Sequence, residues 1–273
     1  MATIASTMDR ATGRRTTGLV TSTLVVAKRG LMKFVRTPQL VVVGTIQGAM
    51  FLLIFRYVFG GAIEIPGISY VDFLVPGFIT TGILFAVMDA APGVAGDLEQ
   101  GFVDRLRSLP IPRSSFLSGR AIADTAVLVY SLAFMTLTGF AVGFRIHGSV
   151  PDALLAFALC VAFGFAFIWV FITIGLFAGS AEAAQGMALL VFPLSFVSSA
   201  YVPVESMPGW MQAFAEHQPL TYMVDAVRAL TLGPEAEALL GHPASYFVTR
   251  ALLWAAGIVA VFAPLAVARY RRS

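Results

Sequence analysis

The sequence predicts an all-α membrane protein with six transmembrane helices, and three observations carry that expectation. Of its 273 residues, 58% are hydrophobic and 12% are charged, whereas a soluble domain averages about 45–50% and about 25%. Six apolar runs approach the roughly 20 residues that a helix needs to cross a bilayer. Lys and Arg are concentrated in alternate connecting segments, the pattern that sets orientation in a membrane. A soluble protein with a large core could account for one such run, but not for the set.

Residues 1–17 are rich in Arg and Thr, poor in acids, and lack an apolar core before a small-residue cleavage site. They read as a flexible cytoplasmic leader rather than a signal peptide. Residues 18–273 read as one membrane domain, without a repeat of the whole chain or a Gly/Ser linker. Between Gly18 and Arg36, Val20, Leu24, Ala27, Leu31, Phe34 and Val35 fall on one arc of a helical wheel. Arg29, Lys33 and Arg36 fall roughly opposite. That is a helix lying in the inner membrane surface. It serves either as a link to a cytoplasmic partner or as a simple anchor.

The spans are expected at Leu40–Phe59, Phe73–Ala95, Ile122–Phe144, Leu154–Phe177, Met187–Val204 and Phe247–Ala268. A backbone in hydrocarbon must satisfy its own hydrogen bonds, so such runs become helices. Pro76, Pro92, Pro193 and Pro264 are expected at kinks. Fourteen of the eighteen Lys and Arg residues lie before the first span, in the loop after the second span and in the tail. Both termini are therefore expected in the cytoplasm. The same topology accounts for the pI of about 9.2 without a nucleic-acid partner. Arg56 is close enough to the outer end of its span to snorkel. Asp89 is either a functional carboxylate or a solvated interfacial residue. Cys160, alone in an apolar run, is a small buried hydrophobe.

The loop after the second span reads GDLEQGFVDRLRSLPIPRSSFLSGR. Leu98, Phe102, Leu106 and Leu109 recur at the spacing of one helical face, and Pro110 and Pro112 end the helix. Its apolar side either docks into a groove on a soluble subunit or rests on lipid. The segment Tyr201–Glu235 is too apolar for an exposed loop. Pro208 suits a helix start, Gln218–Pro219 a break, Thr221 a cap and Gly233–Pro234 an end. Trp210, Phe214 and Tyr222 suit a membrane–water boundary. Two short helices dipping back into the outer leaflet are expected, with His217 at their junction in a structural role or a role in substrate passage.

No residue pattern announces catalysis. Lys28 and Lys33 lack the glycines of a phosphate-binding loop. His147, His217 and His242 lie in separate loops without metal spacing, and Ser180 has no nucleophile elbow. No catalytic residue, metal or cofactor is expected in this chain.

The segments FRYVFGGAI (Phe55–Ile63), VDRLRSLPIPRSSFLSGR (Val103–Arg120) and VPVESMPGWMQAFAEHQPLTYMVDAVRAL (Val202–Leu230) resemble the membrane subunit of ABC type-2 exporters of the daunorubicin/doxorubicin-resistance branch. The most specific part is P-x-x-x-M-P-x-W followed by H-Q-P, and SAEAAQG (Ser180–Gly186) matches more weakly. The resemblance implies a bacterial inner-membrane permease. It would pair with a second permease subunit, identical or related, and engage two copies of a separate P-loop ATPase that binds ATP and Mg. It also implies roles for residues. Glu99, Phe102, Val103, Asp104, Arg105, Leu106, Arg107 and Leu109 would form the coupling helix that meets the ATPase, with Glu182 a minor second contact. Lys28, Arg29, Lys33 and Arg36 would belong to a connecting helix. Pro208, Trp210, Phe214, His217, Pro219 and Tyr222 would belong to an outer re-entrant gate. The implied cargo is hydrophobic or amphipathic, drug-like or lipid, as the 23 Phe and 10 Met would suit. The alternatives are an ATP-independent secondary transporter, which needs inverted repeats and midplane ionisable groups, and a non-transporting assembly protein.

Overall fold

The computed structural model describes residues 18–60, 65, 67–108, 112 and 114–272. The leader and Leu109 lie outside these. Among the described residues all regular structure is helical. Four helices are long and apolar enough to cross a membrane: Tyr70–Glu99 (30 residues), Ser114–Ala141 (28), Val150–Phe177 (28) and Ala244–Arg272 (29). They contain most of the second, third, fourth and sixth expected spans.

The first of these has a turn at Asp89 that divides it into α3 (Tyr70–Met88) and α4 (Ala90–Glu99). Pro92 has no N–H to return to the Met88 carbonyl, so the ladder breaks there. Before it come α1 (Leu19–Arg36) and α2 (Pro38–Ile54), the latter continued by a wider π turn at Phe55–Phe59. After it come α5 (Phe102–Arg107), α6 (Ser114–Ala141) and α7 (Val150–Phe177). Ser149 and Asp152 form a reciprocal capping box at the start of α7, satisfying donors that a helix end leaves bare.

The stretch expected to form a fifth span, Met187–Val204, is not one helix. It contains the end of α8 (Ala181–Ala188) and a short α9 (Val191–Phe196), and is non-helical from Val197 to Pro203. Pro193 cannot donate to the Leu189 carbonyl, which the Phe192 N–H takes instead at 2.9 Å. Beyond it, the hydroxyls of Ser195 and Ser198 donate to the carbonyls three residues back, at 2.7 and 2.6 Å. Local bonds of this kind compete with a helical ladder. The remaining helices are α10 (Gly209–Ala215), α11 (Pro219–Leu232), α12 (Pro234–Leu240) and α13 (Ala244–Arg272). α11 is buried along nearly its whole length, packed against α3, α7 and α13.

α1 shows why an amphipathic wheel is an incomplete description. Its apolar arc largely faces outward, with Val20 70% exposed, as a membrane-surface helix requires. A third face of small residues, Ser22, Thr23, Val26 and Ala27, is buried against α6. A Cβ on Gly119 of α6 would lie 2.6 Å from Val26 Cβ and 2.8 Å from the Thr23 carbonyl. Small residues allow such close helix approach.

The helices gather at two ends. At one, Phe116 of α6 stacks on Tyr270 of α13 at 5.6 Å, and Arg269 lies 5.2 Å over the Phe177 ring of α7. At the other, the backbone N–H groups of His147 and Gly148 donate to the Thr231 carbonyl at 2.8 and 2.9 Å.

Candidate functional site

The first cluster lies at the end that carries α1, α5 and the C-terminus of α13. Gly101 adopts the left-handed conformation (φ +65°), which suits a residue without Cβ. It separates α4 from α5, so the described part of this segment, Leu98–Arg107, belongs to two helices rather than the single one its spacing predicts. The apolar side is not free for a partner. Val103 is buried, and Leu98, Phe102 and Leu106 pack against the core. Glu99, Asp104 and Arg105 are the exposed residues of this corner. The side chain of Arg107 lies outside the described structure. Glu182 is exposed on α8, which packs against α4.

Arg29 ties α1 to this corner. Its guanidinium carbon lies 3.6 Å from the Phe102 ring centroid, within cation–π range. The same group donates to both Asp97 oxygens, at 3.1 and 3.5 Å. Asp97, 5% exposed, also lies 3.9 Å from Arg120 Nη1 of α6. Arg120 pairs with Asp124 at 2.7 Å and donates to the Asp89 carbonyl at 3.3 Å. The Asp89 side chain is exposed at its turn. Lys28, Lys33 and Arg36 are exposed on α1. Asp97 and Asp124 were not singled out from sequence, although Arg120 and Asp124 have the i,i+4 spacing of a helix-surface pair.

Removing one partner of a buried ion pair destabilises by about 3–5 kcal/mol, and less here because Arg29 is partly exposed. Asp97→Leu should therefore loosen α1 from α6. A cysteine at Val26, 7% exposed in the parent, should react with maleimide at least about tenfold faster in that background, the factor that 1.4 kcal/mol supplies. Equal labelling rates would show that the cluster does not hold α1.

The second cluster lies at the opposite end. Pro208 precedes α10, and Pro219 opens α11. Trp210 is 79% exposed and Phe214 is also exposed. Tyr222 lies 5.8 Å from the Arg250 guanidinium. His217 Nδ1 donates to the Ala213 carbonyl at 3.0 Å. Thr221 is not the cap of α11; Gln218 occupies that position. Thr221 is buried, and its hydroxyl accepts from the Ser199 N–H at 3.4 Å. The Gln218 amide donates to the carbonyls of Leu194 and Val197.

Arg228 is, among the described residues, the largest fully buried side chain, 0% exposed. Its guanidinium donates to Asp225 at 2.6 Å, to the Phe73 carbonyl at 2.9 and 3.3 Å and to the Ser199 carbonyl at 2.9 Å. It also lies 3.7 Å from the Phe73 ring centroid. Asp225, 6% exposed, accepts from the Ser199 hydroxyl at 2.8 Å. The available signal was an Asp and an Arg three apart inside an apolar helix.

Between the clusters runs a continuous row of rings. Phe85, Phe192, Phe196, Tyr201, Phe55 and Phe51 follow one another at 5.7, 5.0, 5.2, 4.9 and 4.9 Å. The Tyr201 hydroxyl donates to Thr81 at 3.0 Å. Among the described residues, no three His, Cys, Asp or Glu side chains are grouped as a metal site would need.

Comparison with known proteins adds independent information. Residues 21–232 match the ABC-2 type transporter family. The chain is 32% identical over 253 residues to the daunorubicin resistance ABC transporter permease protein DrrB1 of Streptomyces coeruleorubidus, covering 92% of this chain and 87% of that protein. It is 28% identical over 261 residues to the probable doxorubicin resistance ABC transporter permease protein DrrC of Mycobacterium tuberculosis, covering 93% and 90%. Its identity to the inner membrane transport permease YadH of Escherichia coli is 25% over 199 residues, covering 71% and 76%.

Proposed function

The chain belongs to the ABC-2 type transporter family as a membrane permease subunit of an ABC exporter, and from that premise we propose how it is built into the membrane and driven. It crosses the bacterial inner membrane six times. Four passes are the long helices, one is α2 with its π turn, and one is the broken α8–α9 segment with the stretch that follows. The end carrying α1, α5 and the basic tail is cytoplasmic, as the Lys and Arg distribution favours. The chain pairs with a second permease subunit, identical or related, and is driven by two copies of an ATPase subunit that bind ATP and Mg.

The observation that carries this reading is the double engagement of Arg29 with Phe102 and Asp97. The exposed Glu99, Asp104 and Arg105 offer a polar contact to the ATPase, with Glu182 beside them, while the apolar side of α5 seats it on the permease. A displacement of α5 then reaches α1 through Arg29 and α6 through Asp97 and Arg120. Packed elements of this kind transmit motion because they deform poorly. At the outer end, α10 and α11 close the exit. The cargo is a hydrophobic or amphipathic compound, drug-like or lipid. The row of six rings supports this, since aromatic faces bind apolar and planar surfaces without demanding specific hydrogen bonds.

The test is reconstitution of the chain in inside-out proteoliposomes, with and without the ATPase subunit. Daunorubicin, the drug in one relative's name, serves as probe. ATP-dependent accumulation only with the ATPase present is expected. Uphill accumulation by the permease alone would overturn the reading. A cysteine at Arg105 should label only from the side on which ATP acts.

A further inference from the structure

We propose that Arg228 is a positioning residue for export, locking α11, the non-helical stretch Val197–Pro203 and the start of α3 into one body that moves as a unit. The inference rests on the reading that α10 and α11 form the outer gate.

Non-helical chain at membrane depth is tolerated only where protein or water satisfies its polar groups. Here α11 supplies most of what the helix lost. Gln218 takes the Leu194 and Val197 carbonyls, Thr221 takes the Ser199 N–H, and Arg228 takes the Ser199 carbonyl. Arg228 then reaches α3 through the Phe73 carbonyl and ring. Asp225 closes the circuit by holding both Arg228 and the Ser199 hydroxyl. The steric fit is equally close, since a Cβ on Gly77 of α3 would lie 1.9 Å from the Ala200 carbonyl.

A lid that swung away alone would strip these partners from the stretch and leave the Arg228–Asp225 pair without the Phe73 and Ser199 groups that now satisfy it. Leaving a buried polar group unsatisfied is costly, and more so when the group is charged. Movement of all three segments together leaves every one of these bonds intact. The opening surface therefore lies between this body and its surroundings, not between α11 and the stretch it covers.

The test uses the whole transporter in proteoliposomes, in a Cys160→Ala background with Ser199→Cys and Thr221→Cys. The Ser199 N–H and the Thr221 hydroxyl are 3.4 Å apart, so the two positions are neighbours within the reach of a disulfide. The pair should oxidise at the same rate in the nucleotide-free and vanadate-trapped complexes. ATP-dependent daunorubicin accumulation should stay within about twofold of the reduced form, a change worth less than 1.4 kcal/mol. Slower oxidation in the trapped state, failure to cross-link at rest, or export lost on oxidation and restored by reduction would each overturn the proposal. Arg228→Met should slow the same cross-link at least about tenfold, with Arg228→Lys between it and the parent, since lysine lacks the planar fork. Unchanged cross-linking in Arg228→Met would show that another group holds the body together. If the parent transporter fails to accumulate probe with its ATPase, the functional reading fails first, and the cross-linking rates still decide whether the three segments move together.

Discussion

Phe102→Asp combined with Leu106→Asp abolishes ATP-driven export while leaving the chain in the membrane: that is the first expected result, and its reason is the seat of α5 rather than a direct contact with the ATPase. Both side chains pack against the core, with Phe102 also 6.3 Å from Phe116 and beneath Arg29. Full burial of one such side chain contributes about 1.5–3 kcal/mol, and half-burial correspondingly less. Replacing two of them by carboxylates removes that contribution and adds a desolvation cost. α5 then spends most of its time detached, and probe-stimulated ATP hydrolysis should fall at least about tenfold. A companion variant separates seat from contact. Glu99→Arg with Arg105→Glu changes only exposed positions, so it should weaken copurification of the ATPase without destabilising the permease. Normal coupling in the Phe102/Leu106 double variant would remove α5 from the pathway.

The second large effect is steric. Gly77→Ala adds one methyl group where the nearest atoms are the backbone of Ala200, at 1.9 Å for the carbonyl oxygen and 2.6 Å for its carbon. Neither is the end of a flexible side chain, so α3 and the stretch after α9 must separate. Overpacking typically costs about 1–3 kcal/mol and occasionally more. This site belongs at the upper end, because separation also lengthens the bonds from Arg228 to Phe73 and Ser199. Thermal denaturation in detergent should show a clearly lowered midpoint for Gly77→Ala. Gly257→Ala, where nothing lies within 4 Å, should match the parent. Equal midpoints for the two variants would mean that α3 and Ala200 are not packed as described.

Much of the architecture was legible in the residues. Leu154–Phe177 lies within α7, and Phe247–Ala268 within α13, because hydropathy over a full span reports on solvent rather than on neighbours. The helix at Leu19–Arg36 and the break at Gln218–Pro219 were likewise readable, since amphipathic spacing and proline act locally. The misreadings share one cause. The apolar side of Phe102–Leu106 looked free for a partner, and Thr221 looked like a cap, because both judgements considered one segment alone. The fifth expected span looked continuous because Pro193 is often tolerated in membrane helices; the serines that follow it, and the α11 side chains that satisfy the opened backbone, lie in separate parts of the chain.

Composition and run length by themselves determined that this is a helical membrane protein. Lipid and water act on every residue alike, whatever it later touches. Only the tertiary structure decided which charges are structural. Arg228 and Asp97 tolerate burial because carbonyls, carboxylates and rings from distant segments converge on them, and desolvation is offset only where that convergence exists. No local pattern encodes it.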